Sequence, residues 1–408
     1  MGELLRVSFT GRGEPRADAS PGQPLQGPAR EHQRLWRLIW AGAPGIGWQR
    51  LQRLEAMFGG LEQAWQASGA ELNQALAGRT ALPAAALSAL DRYRQQLGPE
   101  PLSWPVLPQQ RRRWRQRGVL VHGDPALPPS LETLERPPLQ LFWQGRGALW
   151  AALRCQQAVA VVGTRRPSRH GLLQARAIGR ALAQAGWPVV SGLAEGIDAA
   201  AHEGCLEAGG APVAVLGTPL ERVYPRHHGQ LQAAVGRQGL LVSELAAGTP
   251  GRAGHFALRN RLQVALAQAV VLVECPASSG ALHSASLAWD QGMPLWVVPA
   301  DTNRSSAAGS NRWLSQGATA LIDPQDLINN LGAGPLRQPS SAQGPAGPAQ
   351  GPLLQREAAL LAALGAGASL DQLCDRLRQS PAQLSERLLQ LELAGLLRSE
   401  PGLWWRPS

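Results

Sequence analysis

Seven short apolar runs between residues 158 and 322 constrain this chain more than any other feature. They cover 158–163, 188–191, 211–216, 240–243, 270–274, 295–298 and 320–322, and helical patterns separate most of them. Runs of that length, bounded by turn residues and alternating with helices, predict a parallel sheet covered on both faces, and so an α/β fold. Open sheets of that kind keep their ligands at the carboxyl ends of the strands. Around those ends stand Gly163-Thr164-Arg165-Arg166, Ser191-Gly192 followed by Asp198, Phe256 followed by Arg259-Asn260-Arg261, and Ser278-Ser279-Gly280. Small residues, arginines and one Phe suit a polyanion better than a small neutral metabolite.

The cations narrow the chemistry further. All 39 Lys+Arg residues are Arg. The chain therefore has no Schiff-base lysine and no lysine to sit under a triphosphate. A GC-rich genome accounts for the bulk of the arginine count, while guanidinium geometry suits bidentate phosphate contacts and base stacking. The net charge of +10 is uneven: 19 Arg face 12 acids in residues 1–154, 13 face 11 in 155–330, and 6 face 6 in 353–408. A basic balance is compatible with nucleic acid and equally with solvated basic faces. Cys155, Cys205, Cys275 and Cys374 lie far apart without metal-ligand spacing, as expected of reduced thiols in a cytoplasmic protein. Residues 1–30 hold no apolar core, so they read as a disordered tail, neither signal peptide nor membrane span.

Four further segments follow that tail. Residues 31–103 form a helical domain, with Leu35, Trp36, Leu38, Ile39, Leu51, Leu54, Met57 and Phe58 at helical spacing. Within it Ala43-Pro44-Gly45-Ile46-Gly47 has the form of a helix-hairpin-helix (SAM-like) turn. Its amides could face a phosphate, or the turn could simply pack Ile46 between two helices. Residues 104–330 carry the sheet, led in by a connecting segment over 104–145. The run Arg111-Arg112-Arg113-Trp114-Arg115-Gln116-Arg117 in that segment reads as a solvated helix face ahead of a dedicated nucleic-acid contact. Residues 331–352 are a Gly/Pro/Ser/Gln-rich flexible linker. Residues 353–408 show helices over 354–364, 370–377 (opened by Ser369) and 382–394 (opened by Ser380-Pro381), then Leu396-Leu397-Arg398, a turn at Pro401-Gly402 and Leu403-Trp404-Trp405. That is a winged-helix pattern, and its zero net charge favours packing or protein contact over DNA reading.

The loop chemistry is that of binding. The first run ends at Gly163 without the later glycines of a dinucleotide fingerprint. Arg165 and Arg166 instead flank a helix start, where dipole and guanidinium both attract phosphate. Phosphate contact by at least one of them is preferred to simple pairing with an acid such as Asp198. Phe256 offers a base a stacking face worth about 1–3 kcal/mol, and Asn260 between two arginines is hard to explain as packing. Glu195, Asp198 and His202 are the catalytic candidates; Asp198 and His202, four residues apart, read as a hydrogen-bonded structural pair ahead of an acid–base or metal site. His227, His228 and His283 are isolated, and no nucleophile elbow or H-E-x-x-H is present. The residues thus supply no catalytic group, metal site or cofactor.

In this order, Val161-Val162-Gly163-Thr164-Arg165, Ser191-Gly192-Leu193-Ala194, Gly196-Ile197-Asp198 through His202, Ala214-Val215-Leu216-Gly217 with Tyr224-Pro225, Ser243-Glu244, Phe256 with Arg259-Asn260-Arg261, and Ser279-Gly280-Ala281-Leu282 resemble the DprA (Smf) family of DNA-processing proteins. The match covers about residues 120–325, with His122-Gly123-Asp124-Pro125 and Pro137-Pro138-Leu139 as its lead-in. The resemblance implies an extended Rossmann-like domain, flanked by helical and winged-helix domains, that binds single-stranded DNA without catalysis. It also implies a homodimer that loads RecA recombinase onto DNA taken up in natural transformation, past single-strand-binding protein. By motif position Arg165 is a phosphate contact, Phe256 a stacking residue, and Arg259 to Arg261 part of the same pocket. Three positions depart from the family: Glu195 replaces a basic residue, Ser284 replaces Thr, and Ala300-Asp301-Thr302-Asn303-Arg304 replaces a Pro-Gly turn. The alternative is a nucleotide-binding enzyme of the lysine-decarboxylase-like phosphoribohydrolase type. Its signature glutamate is missing after Ser278-Ser279-Gly280-Ala281-Leu282-His283.

Overall fold

All seven apolar runs form strands of one sheet, joined by two more. In the computed structural model these are β1 (Val119–Val121), β2 (Gln140–Gly145), β3 (Val159–Val162), β4 (Val189–Ser191), β5 (Pro212–Val215), β6 (Leu240–Ser243), β7 (Ala269–Leu272), β8 (Leu295–Val297) and β9 (Thr319–Ala320). The structure describes residues 28–102, 118–337, 357–365, 367–393, 396–400 and 404–407. The expected tail up to residue 27, the Arg111–Arg117 run, residues 338–352 and the turn at Pro401-Gly402 lie outside them. The chain divides into two units, Met1–Arg337 and Gln338–Ser408.

The strand order is β1-β2-β6-β5-β4-β3-β7-β8-β9. From β6 across to β9 every neighbouring pair is parallel. At the centre, β3 pairs with β4 on one side (Val159 opposite Val189) and with β7 on the other (Val159 opposite Ala269). The chain winds from β3 to β6 in one direction, then returns to β7 and winds to β9 in the other. Connections leaving the ends of β3 and β7 therefore part, and a crevice opens between them.

Burial on both faces explains the uninterrupted apolar runs. Val159 and Val161 face a core with Ile178, Leu182, Trp187 and Val271, while Ala160 and Val162 face Leu131, Leu153, Leu262 and Leu272. The connecting segment expected over 104–145 needs correction, because β1 pairs antiparallel with β2 and β2 with β6. Strand β1 has three residues and β2 is interrupted by glutamines, so neither shows the long apolar signature of a strand buried on two faces. Their stability comes from pairing with a sheet that a local window cannot see.

The helices Pro28–Ala41, Trp48–Phe58, Leu61–Gln66, Gly69–Ala75 and Ala84–Leu97 enclose a separate core. Trp65 lies 5.9 Å from Trp36 and 5.3 Å from Trp40, ring centroid to ring centroid. Ile46 is buried in this core. Arg50 donates to the carbonyls of Gly45, Thr80 and Ala81 at 2.7–2.9 Å, so the glycine turn is braced from within. This layer is fastened to the sheet by Arg34, whose Nε donates to Asp124 at 3.0 Å. Leu38 packs against Val119 and Val121. At the other end of the sheet unit, residues within the expected linker remain attached: the Gly334 N–H donates to the Ala185 carbonyl at 2.8 Å and Leu336 to Gly186 at 3.0 Å.

In the second unit, helices Ala358–Leu364, Leu370–Leu377 and Pro381–Leu393 are joined by a three-stranded sheet. Leu397–Glu400 and Trp404–Pro407 form its antiparallel hairpin, and Ala368–Ser369 adds an edge. Ser369 and Gln372 complete a reciprocal cap at the second helix, as the Ser signal suggested. Leu360, Leu373, Leu384, Leu388 and Trp405 close the core of a winged helix. No helix among the described residues is long and apolar enough to cross a membrane.

Candidate functional site

A cavity of about 670 Å³ occupies the crevice between β3 and β7. Small-ligand sites typically span about 300–1,000 Å³. The loop after β3 contributes Gly163, Thr164, Arg165 and Arg166; the loop after β7 contributes Ser279 and Gly280; the helix Ala253–Ala265 contributes Phe256, Arg259 and Asn260; and Asp198 completes the wall. Ser191, Gly192 and Arg261 do not line it.

A hydrogen-bonded knot fixes the arginine loop. Glu274, buried beyond the end of β7, accepts from the Ser168 N–H (3.0 Å), the Ser168 hydroxyl (2.8 Å) and the Ser306 hydroxyl. The Ser168 hydroxyl oxygen accepts in turn from Gly171 N–H at 3.1 Å, capping the helix Arg169–Gln184. Thr164 N–H donates to the Glu274 carbonyl at 2.7 Å, and Arg166 N–H to the Thr164 hydroxyl at 3.2 Å. With the backbone held there, the side chains of Arg165 and Arg166 stand in solvent. Sequence reasoning missed Glu274, Ser168 and Ser306. The available signal was an acid closing an otherwise apolar run, together with a serine three residues before Gly171.

Phe256 is half-buried against bare backbone: a Cβ on Gly217 would come within 2.6 Å of its ring. Tyr224 leans on it with ring centroids 4.9 Å apart, and the Arg165 guanidinium carbon lies over it at 5.2 Å. Such a cation–π contact is worth about 0.5–1 kcal/mol at an exposed site. Neither Arg165 nor Arg166 has a carboxylate partner among the described residues.

The remaining charges near the cavity are largely cancelled. Arg259 and Asp198 are only 5% and 7% exposed, and their opposite charges offset each other in the floor. Arg259 donates to the Val215 carbonyl, and Asp198 accepts from Gly192 N–H at 3.1 Å. Burial draws the Arg259 pKa down to about 10 against the pull of Asp198, which leaves the guanidinium charged at neutral pH. Burial likewise pushes the Asp198 carboxyl up, opposed by Arg259. The expected Asp198–His202 pair is corrected here, because the carboxylate accepts from the Gly192 N–H and has the Arg259 charge, not His202, as its electrostatic neighbour. His202 lies wholly buried one turn on, and burial holds its pKa down at about 4.

Ser191 sits beneath the floor, its hydroxyl donating to the Val161 carbonyl at 2.6 Å. Arg261 turns to Glu244 at 2.6 Å and lines a different cavity with Leu258 and His283. Between them Asn260 donates to the Gly280 carbonyl at 3.2 Å, tying the helix to the loop after β7. Ser279 accepts from Ala281 N–H at 3.2 Å where the next helix starts.

The positions that depart from the expected pattern are also placed. Glu195 is exposed, 3.4 Å from His227, and is not among the cavity's lining residues. The altered 300–304 stretch brings Arg304 within 3.1 Å of the Ser168 hydroxyl and leads into Ser305 and Ser306 on the cavity wall. No group of His, Cys, Asp and Glu suited to a metal ion occurs among the described residues.

Comparisons with known proteins converge on one group. Residues 118–332 match the family model described as DNA recombination-mediator protein A, and residues 344–402 match that of the DprA winged helix domain. The chain is 31% identical over 403 residues to Protein Smf of Synechocystis, covering 92% of this chain and 98% of that protein. It is 34% identical over 278 residues to Protein Smf of Escherichia coli, covering 67% and 73% respectively. Its fold is similar to the X-ray structure of DNA processing protein A (DprA) from Streptococcus pneumoniae, with a TM-score of 0.58 and 24% identity over 72% of this chain and 96% of that one.

Proposed function

The chain belongs to the DNA recombination-mediator protein A family, and we propose that it grips single-stranded DNA in the cavity between β3 and β7 and loads RecA recombinase onto it. The observation that carries this reading is the Arg165 guanidinium, without a carboxylate partner among the described residues and held over the Phe256 ring at the cavity edge. A strand backbone docks a phosphate on Arg165 and Arg166, beside the amino-terminal end of the helix Arg169–Gln184, whose dipole favours an anion. A base then stacks on Phe256. Stacking and phosphate contact read no base edges, so binding tolerates any sequence.

Gly163, Thr164, Asn260, Ser279 and Gly280 give the rim its shape and hydrogen-bonding groups. Ser191, Gly192, Asp198 and Arg259 keep the floor rigid, and Arg261 braces the helix from behind through Glu244. The protein acts as a mediator: it protects incoming DNA in natural transformation, works as a homodimer in the cytoplasm, and displaces single-strand-binding protein. Its winged helix, which carries no net charge, serves protein contact.

Fluorescence anisotropy with labelled single strands at two salt concentrations tests the reading. Wild-type binding weakens with salt. Arg165→Ala lowers affinity by about tenfold or more and reduces the log–log salt slope by about 0.7, the value for one phosphate contact on a single strand. Phe256→Ala weakens binding at an unchanged slope. If both variants bind like wild type, the cavity is not the DNA site.

A further inference from the structure

A second cavity, of about 300 Å³, adjoins the first and shares Arg165, Ala253 and Phe256 with it. Thr218, Arg222, Tyr224, Gly251 and Arg252 form the rest of its wall. Three arginines thus line one notch, and among the described residues no acid does. Glu221, the carboxylate next to Arg222 in sequence, is turned to the Gly248 N–H at 2.7 Å. Among the described residues, neither Arg222 nor Arg252 makes a side-chain hydrogen bond or ion pair.

The notch is built on fixed backbone. The Thr218 hydroxyl donates to the Arg222 carbonyl at 3.1 Å, Arg222 N–H donates to Pro219 at 3.0 Å, and the Ser243 hydroxyl donates to the Thr218 carbonyl at 2.8 Å. The Arg222 guanidinium lies close over the opposite loop, since a Cβ on Gly251 would stand 3.3 Å from its Nη1. Arg252 occupies the cap position of the helix Ala253–Ala265, at the positive end of its dipole. Like charges gathered this way repel one another, and an anion between them removes that cost. The tilted Tyr224 and Phe256 rings form a ridge along which the notch meets the main cavity.

We infer that the Arg222–Arg252 notch holds a second phosphate of the same strand, so that single-stranded DNA crosses the Phe256–Tyr224 ridge with one phosphate gripped on each side. This rests on the reading of the main cavity as the DNA site. It extends that site from one nucleotide to two consecutive ones and assigns Arg222 and Arg252 to binding.

The test uses the full chain, the Arg222→Ala/Arg252→Ala double variant and Arg165→Ala, with oligothymidylates of increasing length. Both notch side chains are exposed, so truncation leaves the fold intact, as circular dichroism checks. On longer oligonucleotides the double variant binds about tenfold or more weakly, with a salt slope smaller by about 0.7. With a thymidine dinucleotide carrying a single phosphate, used as competitor, it matches wild type, whereas Arg165→Ala is impaired at every length. A double variant equal to wild type at all lengths, beside an impaired Arg165→Ala, overturns the notch and leaves the main cavity standing. Absence of salt-dependent binding in wild type overturns both.

Discussion

Alanine at Gly192 tests whether the glycine of the Ser191-Gly192 motif serves the ligand or the floor. A Cβ there would lie 2.0 Å from Arg259 Nη1, 2.2 Å from Nη2 and 2.3 Å from Cζ. The guanidinium has no room to yield, since Arg259 is 5% exposed and bound to the Val215 carbonyl. Alanine therefore evicts it, breaks its hydrogen bond to the Val215 carbonyl and removes the nearby positive charge that favours the ionised Asp198. Losing a buried hydrogen bond of a charged group in this way costs about 1.5–3 kcal/mol. Gly192 is not among the positive-φ residues, so alanine recovers about 0.4–1 kcal/mol through the unfolded chain. The net loss is about 0.5–2.5 kcal/mol. Urea unfolding followed by tryptophan fluorescence, with Gly192→Ala made in wild type and in an Arg259→Ala background, reads it as a double-mutant cycle. With the clashing atoms gone, the substitution costs less than about 0.5 kcal/mol in the second background. Equal costs in both backgrounds would refute the steric argument. So would an undiminished stability accompanied by lost DNA binding, which would mean that the glycine faces the strand.

Two further outcomes follow from groups around the site. His202 is fully buried with its pKa lowered from 6.5 to about 4, so the unfolded chain accepts a proton that the folded chain refuses. Stability is complete above about pH 6.5 and falls as pH drops towards 4, by up to about 1.4 kcal/mol per pH unit. Urea midpoints at neutral and mildly acidic pH should show a shallower decline in His202→Gln than in wild type, and identical declines would clear His202 as the source. Ser168→Ala removes the cap on Gly171 and one donor to Glu274, costing about 1–2 kcal/mol. It should weaken single-strand binding by loosening the Arg165 loop, and Ser168→Thr, which keeps the hydroxyl, should restore both properties.

The sequence exposes β3 to β8 because each of those strands is buried along its whole length. Strand β9, whose two residues are exposed, shows through the buried Leu321 just beyond it. Strands β1 and β2 are hidden because they are held by pairing with each other and with β6 far along the chain. The site divides along the same line. Glycine and arginine at strand ends mark the crevice, yet the motifs do not reveal which charges are spent internally. Arg259, Asn260 and Arg261 are consecutive, but a helical step of about 100° per residue sends them to Asp198 with Val215, to Gly280 and to Glu244. Two of the four arginines in the expected constellation are therefore cancelled, and only Arg165 and Arg166 remain open to an anion. Glu195, the residue that most argued against an anion site, is engaged by His227 outside the cavity. Arg222 and Arg252, which belong to no motif, stand beside Phe256 without a side-chain partner among the described residues. A segment with 13 Arg and 11 acids is nearly neutral by count. It can still present a cationic rim, because Glu274 is held by Ser168 and Ser306 and Glu244 by Arg261 behind the helix, while no carboxylate among the described residues pairs with Arg165, Arg166, Arg222 or Arg252.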